Sequence, residues 1–149
     1  MSLILEMKKL IFLTLFSCIF FSCKKEINHD TIFDQNKYPQ KWKLIEMAEN
    51  FQTKVTTGAN MPWQESYVLD TNGTFTKTRL QDGLTSGGTG SFTILEDANG
   101  KYMQLKYDTL NNIIGSCYSQ EEYLRFVADK LFSTWSACDG PGLCYERIE

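Results

Sequence analysis

The stretch WQESYVLDTNGTFTKTRL, residues 63–80, decides the fold. Trp63, Tyr67 and Leu69 alternate with Gln64 and Ser66, and Glu65 is the one break in the pattern. A period of two belongs to a strand with one buried face. Asp70-Thr71-Asn72-Gly73 then turns the chain, because Asn and Gly accept positive φ at little cost. The threonine-rich run 74–80 continues as a second, half-exposed strand. Strand, tight turn and strand make an antiparallel hairpin.

The same pattern spreads outward from this hairpin. KWKLIE (41–46) puts Trp42 and Leu44 on one face, and in the expected register Trp63, Tyr67 and Leu69 share that face. SFTIL (91–95) and KYMQLKY (101–107) flank a turn at Asp97-Ala98-Asn99-Gly100. IIGSCYS (113–119), EYLRF (122–126), LFSTW (131–135) and LCYERI (143–148) follow, the last after the sharp turn Asp139-Gly140-Pro141-Gly142. The glycine-rich LTSGGTG (84–90) reads as a flexible loop. Nine short runs with hairpin-length links predict an all-β, antiparallel up-and-down meander. Closure into a barrel removes its edges. A sandwich would need long crossing connections, and only Met47–Met61 is long enough to supply one.

Ahead of the meander, Lys8-Lys9 precede an apolar run from Leu10 to Phe21, broken only by Thr14 and Ser17. That is the pattern of a secretory signal peptide, and it falls short of the roughly 20 residues of a bilayer span. The run ends in FFSCKKE (20–26). Ser22-Cys23 resembles the lipobox of bacterial lipoproteins, with Phe20 where Leu is usual; Cys18, with Leu15 before it, is the alternative. The resemblance implies a signal peptide at 1–22, an acylated Cys23 and a polar tether at 23–40, with the barrel domain at 41–149. It also implies membrane lipid as a partner and residence in the cell envelope, at the outer membrane. His29, the only histidine, lies in the tether, where a catalytic or metal role would lack a fixed geometry.

Trp42 in the first strand, DTNGTFT in the middle, YERI at the end and SCKKE at the processing site resemble lipocalin-like domain lipoproteins of the Bacteroidota. The lipocalin first strand carries Gly-x-Trp, and here Gln40 stands at the glycine position. The resemblance implies a small barrel closed at one end, where Arg147 would cover Trp42. A cation–π contact there contributes about 0.5–2 kcal/mol.

Chemistry is sparse. The net charge of −3 and the lack of a basic cluster argue against nucleic acid. No phosphate loop, nucleophile elbow or pair of histidines is present, so neither enzyme activity nor a cofactor is indicated. Glu96-Asp97 and Glu121-Glu122 read as solvated turns. Cys117, Cys138 and Cys144 lack the histidine that would make a good zinc set, and in an oxidising envelope they read as a disulfide plus one thiol. Cys138–Cys144, flanking one turn, is the first reading; Cys117–Cys138 is the alternative.

The interior is then the candidate site. If the barrel is hollow, Trp63, Tyr67, Phe75, Phe92, Met103, Leu105, Tyr107 and Phe126 line a pocket for a small apolar or amphipathic ligand. Leu124, Leu143 and Tyr145 continue that inner wall. Lys77 and Arg79 share the face of Phe75: either they point outward into solvent, or they meet a ligand carboxylate near the mouth, beneath a Leu84–Gly90 lid. If the aromatic residues fill the barrel instead, the domain is an accessory module that contacts another envelope protein.

Overall fold

The computed structural model describes residues 36–49, 54–118 and 120–149. The signal peptide, Cys18, Cys23, His29 and the tether up to residue 35 lie outside the described residues. Nine strands follow in order: β1 (Gln40–Ala48), β2 (Val55–Thr57), β3 (Gln64–Leu69), β4 (Thr74–Gln81), β5 (Leu84–Asp97), β6 (Gly100–Tyr107), β7 (Glu121–Val127), β8 (Lys130–Ser133) and β9 (Gly142–Arg147). Every pairing is antiparallel. Strands β3 to β8 each pair with the next in sequence, and β1 pairs with both β3 and β9. Eight strands therefore close into a barrel. Strand β2 pairs with the end of β1, beyond the reach of β3.

An up-and-down order gives the barrel two distinct rims. The links into β3, β5, β7 and β9 share the upper rim. The start of β1, the turns into β4, β6 and β8, and the end of β9 share the lower rim.

Local chemistry explains the turns. Asp82 and Gly83 both have positive φ and join β4 to β5 as a two-residue hairpin, Gln81 opposite Leu84. Gly73, at φ 80°, closes the Asp70–Thr74 turn, where Asn72 accepts from the Thr74 amide. A bulge between Leu44 and Glu46 in the β1–β9 ladder shifts the parity, so that Trp42, Leu44 and Met47 all face inward. Trp42 lies opposite Tyr67, so the two share one face as the sequence pattern expects.

The glycine-rich stretch 84–90 is not a loop. It is the first half of β5, paired residue for residue with β4, so the proposed lid is absent. Its glycines answer a packing demand. A Cβ on Gly90 would fall 2.0 Å from the Lys106 carbonyl oxygen and 2.8 Å from the Phe75 ring; one on Gly88 would crowd Asn111 and Tyr107. Conversely, 113–118 is not a strand. Strand β6 pairs directly with β7, which leaves no free edge, and Ile113 turns into the barrel instead.

The disulfide joins Cys117 to Cys138, which corrects the first reading, 138–144. Cys138 ends a short 3-10 turn, Trp135–Cys138, ahead of β9. Cys144 lies within β9 opposite Phe132 and Glu46, on the parity opposite Leu143 and Tyr145. Its thiol is free and buried, and burial raises its pKa. At the lower rim Arg147 is the cross-strand partner of Trp42, but its guanidinium donates to the carbonyls of Glu149 and Lys37 rather than stacking on the indole. The ring beside Trp42 is Phe126, edge-on at 6.2 Å.

Substitutions at the glycines and cysteines test these packing and pairing assignments. Gly90→Ala should cost about 1–3 kcal/mol in urea unfolding, as overpacking against backbone does. Gly87→Ala, with its nearest neighbour at 3.5 Å, should stay within about 0.5 kcal/mol. Removing both Cys117 and Cys138, which span 21 residues, should lower stability by about 3 kcal/mol. Non-reducing peptide mapping should find Cys144 as the thiol.

Candidate functional site

Four charged side chains face the interior. On β3 Glu65 shares the parity of Tyr67 and Leu69; on β4 Lys77 and Arg79 share that of Phe75; on β7 Glu122 shares that of Leu124. All four are buried, Lys77 fully. Register brings them together: Glu65 lies opposite Arg79, and Tyr67 opposite Lys77. The outward reading of Lys77 and Arg79 is therefore overturned. So is the reading of Glu122 as a solvated turn residue.

The Lys77 ammonium sits 2.7 Å from Glu122 Oε1, 3.0 Å from Glu65 Oε1 and 2.8 Å from the Ile113 carbonyl oxygen. Three donors meet three acceptors. Arg79 donates from Nε and Nη2 to Glu65 Oε2, both at 2.6 Å, and from Nη2 to the Ile113 carbonyl at 3.1 Å. Its guanidinium lies 4.5 Å over the Trp63 ring. Tyr145 donates to Glu65 Oε1 at 2.5 Å. Tyr67 and Tyr107 both donate to Glu122 Oε2, at 2.7 and 2.6 Å, and the Gly115 amide donates to Oε1. Two cations and two carboxylates balance, and each carboxylate oxygen has at least two donors. A buried ion is tolerable only when paired and hydrogen-bonded in this way.

The tyrosines are held as neutral donors. Burial, then the Glu122 charge, pushes the Tyr67 and Tyr107 hydroxyls far above their ordinary pKa; burial, then Glu65, does the same for Tyr145. One polar atom is left over. Trp63 Nε1 is buried without an acceptor among the described residues.

The loop between β6 and β7 closes the mouth above these charges. Ile113 is buried, and its backbone carbonyl serves both cations. Asn111 accepts from the Ile113 amide, and Asp108 is tied to Thr89 of β5. Trp135 seals this loop from the neighbouring one. A Cβ on Gly115 or Gly140 would come within 2.7 or 2.3 Å of its indole. The Cys117–Cys138 bond joins the same two loops.

The expected pocket wall does face inward, but it packs against itself. Tyr67, Phe75, Met103, Leu105 and Tyr107 are buried in one core cluster, with Trp63, Phe92 and Phe126 partly buried against it. Phe75 meets Tyr107 edge-on at 4.9 Å, and Tyr67 meets Tyr145 at 5.2 Å. Lys77 and Arg79 are already neutralised by Glu65 and Glu122, so a ligand carboxylate is not needed to satisfy them. Among the described residues no group of three or more His, Cys, Asp or Glu is arranged to hold a metal ion. Glu65, Glu122, Ile113 and Gly115 escape the sequence reading. For the two glutamates the signal is there, since both share the parity of apolar neighbours. Comparison of the chain with family models, curated proteins and solved structures gives no match.

Lys77→Met should cost about 3–5 kcal/mol, because it leaves an uncompensated buried carboxylate. Adding Glu122→Gln restores the balance, and urea unfolding should show the double variant recovering much of that loss. The raised tyrosine pKa values add stability that is fully present below about pH 10, the ordinary tyrosine value, and is lost as pH rises above it. Phenolate absorbance of the three buried tyrosines should therefore appear only together with loss of the far-ultraviolet strand signal.

Proposed function

We propose that the domain is a filled-barrel accessory module of the cell envelope, tethered to lipid through Cys23, which works by contact with another envelope protein. The single observation behind this reading is that the interior is used up. The aromatic wall packs on itself, and Lys77 and Arg79, the inward cations among the described residues, are neutralised from within. A barrel that carries a ligand keeps a cavity of roughly 300 Å³ or more. Here Ile113 and the ion cluster occupy the upper part of the interior.

The lipocalin-like resemblance of Trp42, DTNGTFT and YERI then points to an inherited scaffold rather than a retained carrier activity. The anchor is read from Ser22-Cys23 after the apolar run. Cys23→Ala should release the domain from the membrane fraction or leave an unprocessed precursor; normal processing with full membrane retention would move the anchor to Cys18.

Native mass spectrometry of protein purified from envelopes tests the module reading. The expected species is the acylated chain alone or bound to a protein, with no further small molecule. A stoichiometric lipid inside the barrel would replace this reading with the carrier.

A further inference from the structure

The large apolar side chains left in water are not scattered evenly. Val127 (45%), Leu95 (40%) and Ile148 (38%) stand toward the lower rim, but among the described residues the five most exposed are Leu84 (74%), Leu110 (65%), Tyr118 (62%), Val55 (51%) and Leu80 (46%). All five belong to the upper rim: β2, the two sides of the β4–β5 hairpin tip, and the loop that plugs the mouth. Charge is equally one-sided there. Among the described residues of this rim the acids are Asp82, Asp108, Asp139 and Glu49, whereas the only base outside the buried cluster is Lys54, bound to Glu49 at 3.0 Å.

We infer that the upper rim is the docking surface of the module, and that its partner is a protein offering an apolar recess ringed by lysine or arginine. The inference rests on the accessory-module reading and names the surface and the chemistry that it uses. Apolar tips set among carboxylates that outnumber the neighbouring bases suit such a recess. They do not suit a bilayer, whose anionic headgroups repel the same carboxylates. The entry of the chain agrees. Residues 36–39 lead into β1 at the lower rim, where Arg147 donates to the Lys37 carbonyl, so the chain enters the barrel at the end opposite this surface. Eight-residue strands at about 3.3 Å per residue, tilted as barrel strands are, set the two rims about 20 Å apart. The acidic, apolar rim is thus the end of the barrel opposite the one at which residues 36–39 enter β1.

The surface is also pre-organised. Leu110 and Tyr118 bracket the plug residues Ile113 and Gly115, and Cys117 ties this loop to Cys138. Leu84 follows directly on the tight Asp82-Gly83 turn. Little ordering is left to do on binding, which favours affinity.

Site-specific photo-crosslinking of the full, anchored chain in growing cells tests the surface. Probes replace Leu84 and Leu110 at the upper rim, and Thr71 and Asn99 at the lower. The expected result is one discrete protein adduct from the upper probes only. Asp82→Lys with Asp108→Lys should reduce it by about tenfold, the scale of losing a few charge contacts. The Cys117→Ser, Cys138→Ser chain, still folded by its strand signal, should also reduce it. Protein adducts from the lower probes alone would overturn the rim assignment and leave the module reading standing. Lipid adducts at Leu84 or Leu110 would overturn the protein partner. An adduct indifferent to the Asp→Lys changes would overturn its basic character. No adduct from any position would overturn both the rim and the module reading.

Discussion

The Lys77 ammonium is fully buried, and much of the interior is arranged to make that tolerable. An unpaired ammonium at this depth would cost several kcal/mol. Glu122 and Glu65 supply the counter-charge, and each brings further needs. Glu122 requires Tyr67, Tyr107 and the Gly115 amide; Glu65 requires Tyr145 and Arg79. The cluster thereby links β3, β4, β6, β7, β9 and the plugging loop. Apolar packing alone would tolerate several registers of similar energy. A set of charges that balances in only one arrangement does not, and it selects the observed strand alignment.

The same constraint explains the upper rim. Two backbone groups of the β6–β7 loop, the Ile113 carbonyl and the Gly115 amide, complete the cluster. A loop that completes a buried ion network cannot wander. Trp135 packed on Gly115 and the bond between Cys117 and Cys138 keep it in place from outside. The glycines of β5 belong to the same account. Gly90 lets the Phe75 ring and the Lys106 carbonyl approach closely, and Gly88 leaves room for Tyr107 and Asn111 beneath the loop.

The hairpin at 63–80, the shared face of Trp42 and Tyr67 and the inward wall are legible in the sequence, because period-two alternation and Asx-Gly turns are local signals. The strand at 84–90 is not. Glycine reads as freedom until the atoms that would collide with its Cβ are known, and those come from distant residues. The Ile-Ile-Gly stretch at 113–115 looks like a strand by side-chain type, but strand formation needs a free partner edge, and β6 and β7 leave none. Glu65 and Glu122 show correct inward parity, yet a lone carboxylate on an apolar face reads as an error. Only register, which brings in Lys77 and Arg79, makes it sensible. The cysteine pairing fails for a related reason. Nearness along the chain favours Cys138 with Cys144, whereas the crossing of two loops at one rim selects Cys117.

The proposal that this domain acts through its outer surface rests on a centre occupied by its own balanced charges. The most direct measurement is isotope-edited NMR of the lysine side-chain ammonium groups near neutral pH. Surface lysines exchange their protons with water too fast to be seen there. The account predicts one slowly exchanging ammonium, close to Tyr67 and Tyr107 ring protons and absent from the Lys77→Met chain. Fast exchange of every lysine would mean that water or a ligand reaches Lys77, and the barrel would then be open rather than filled.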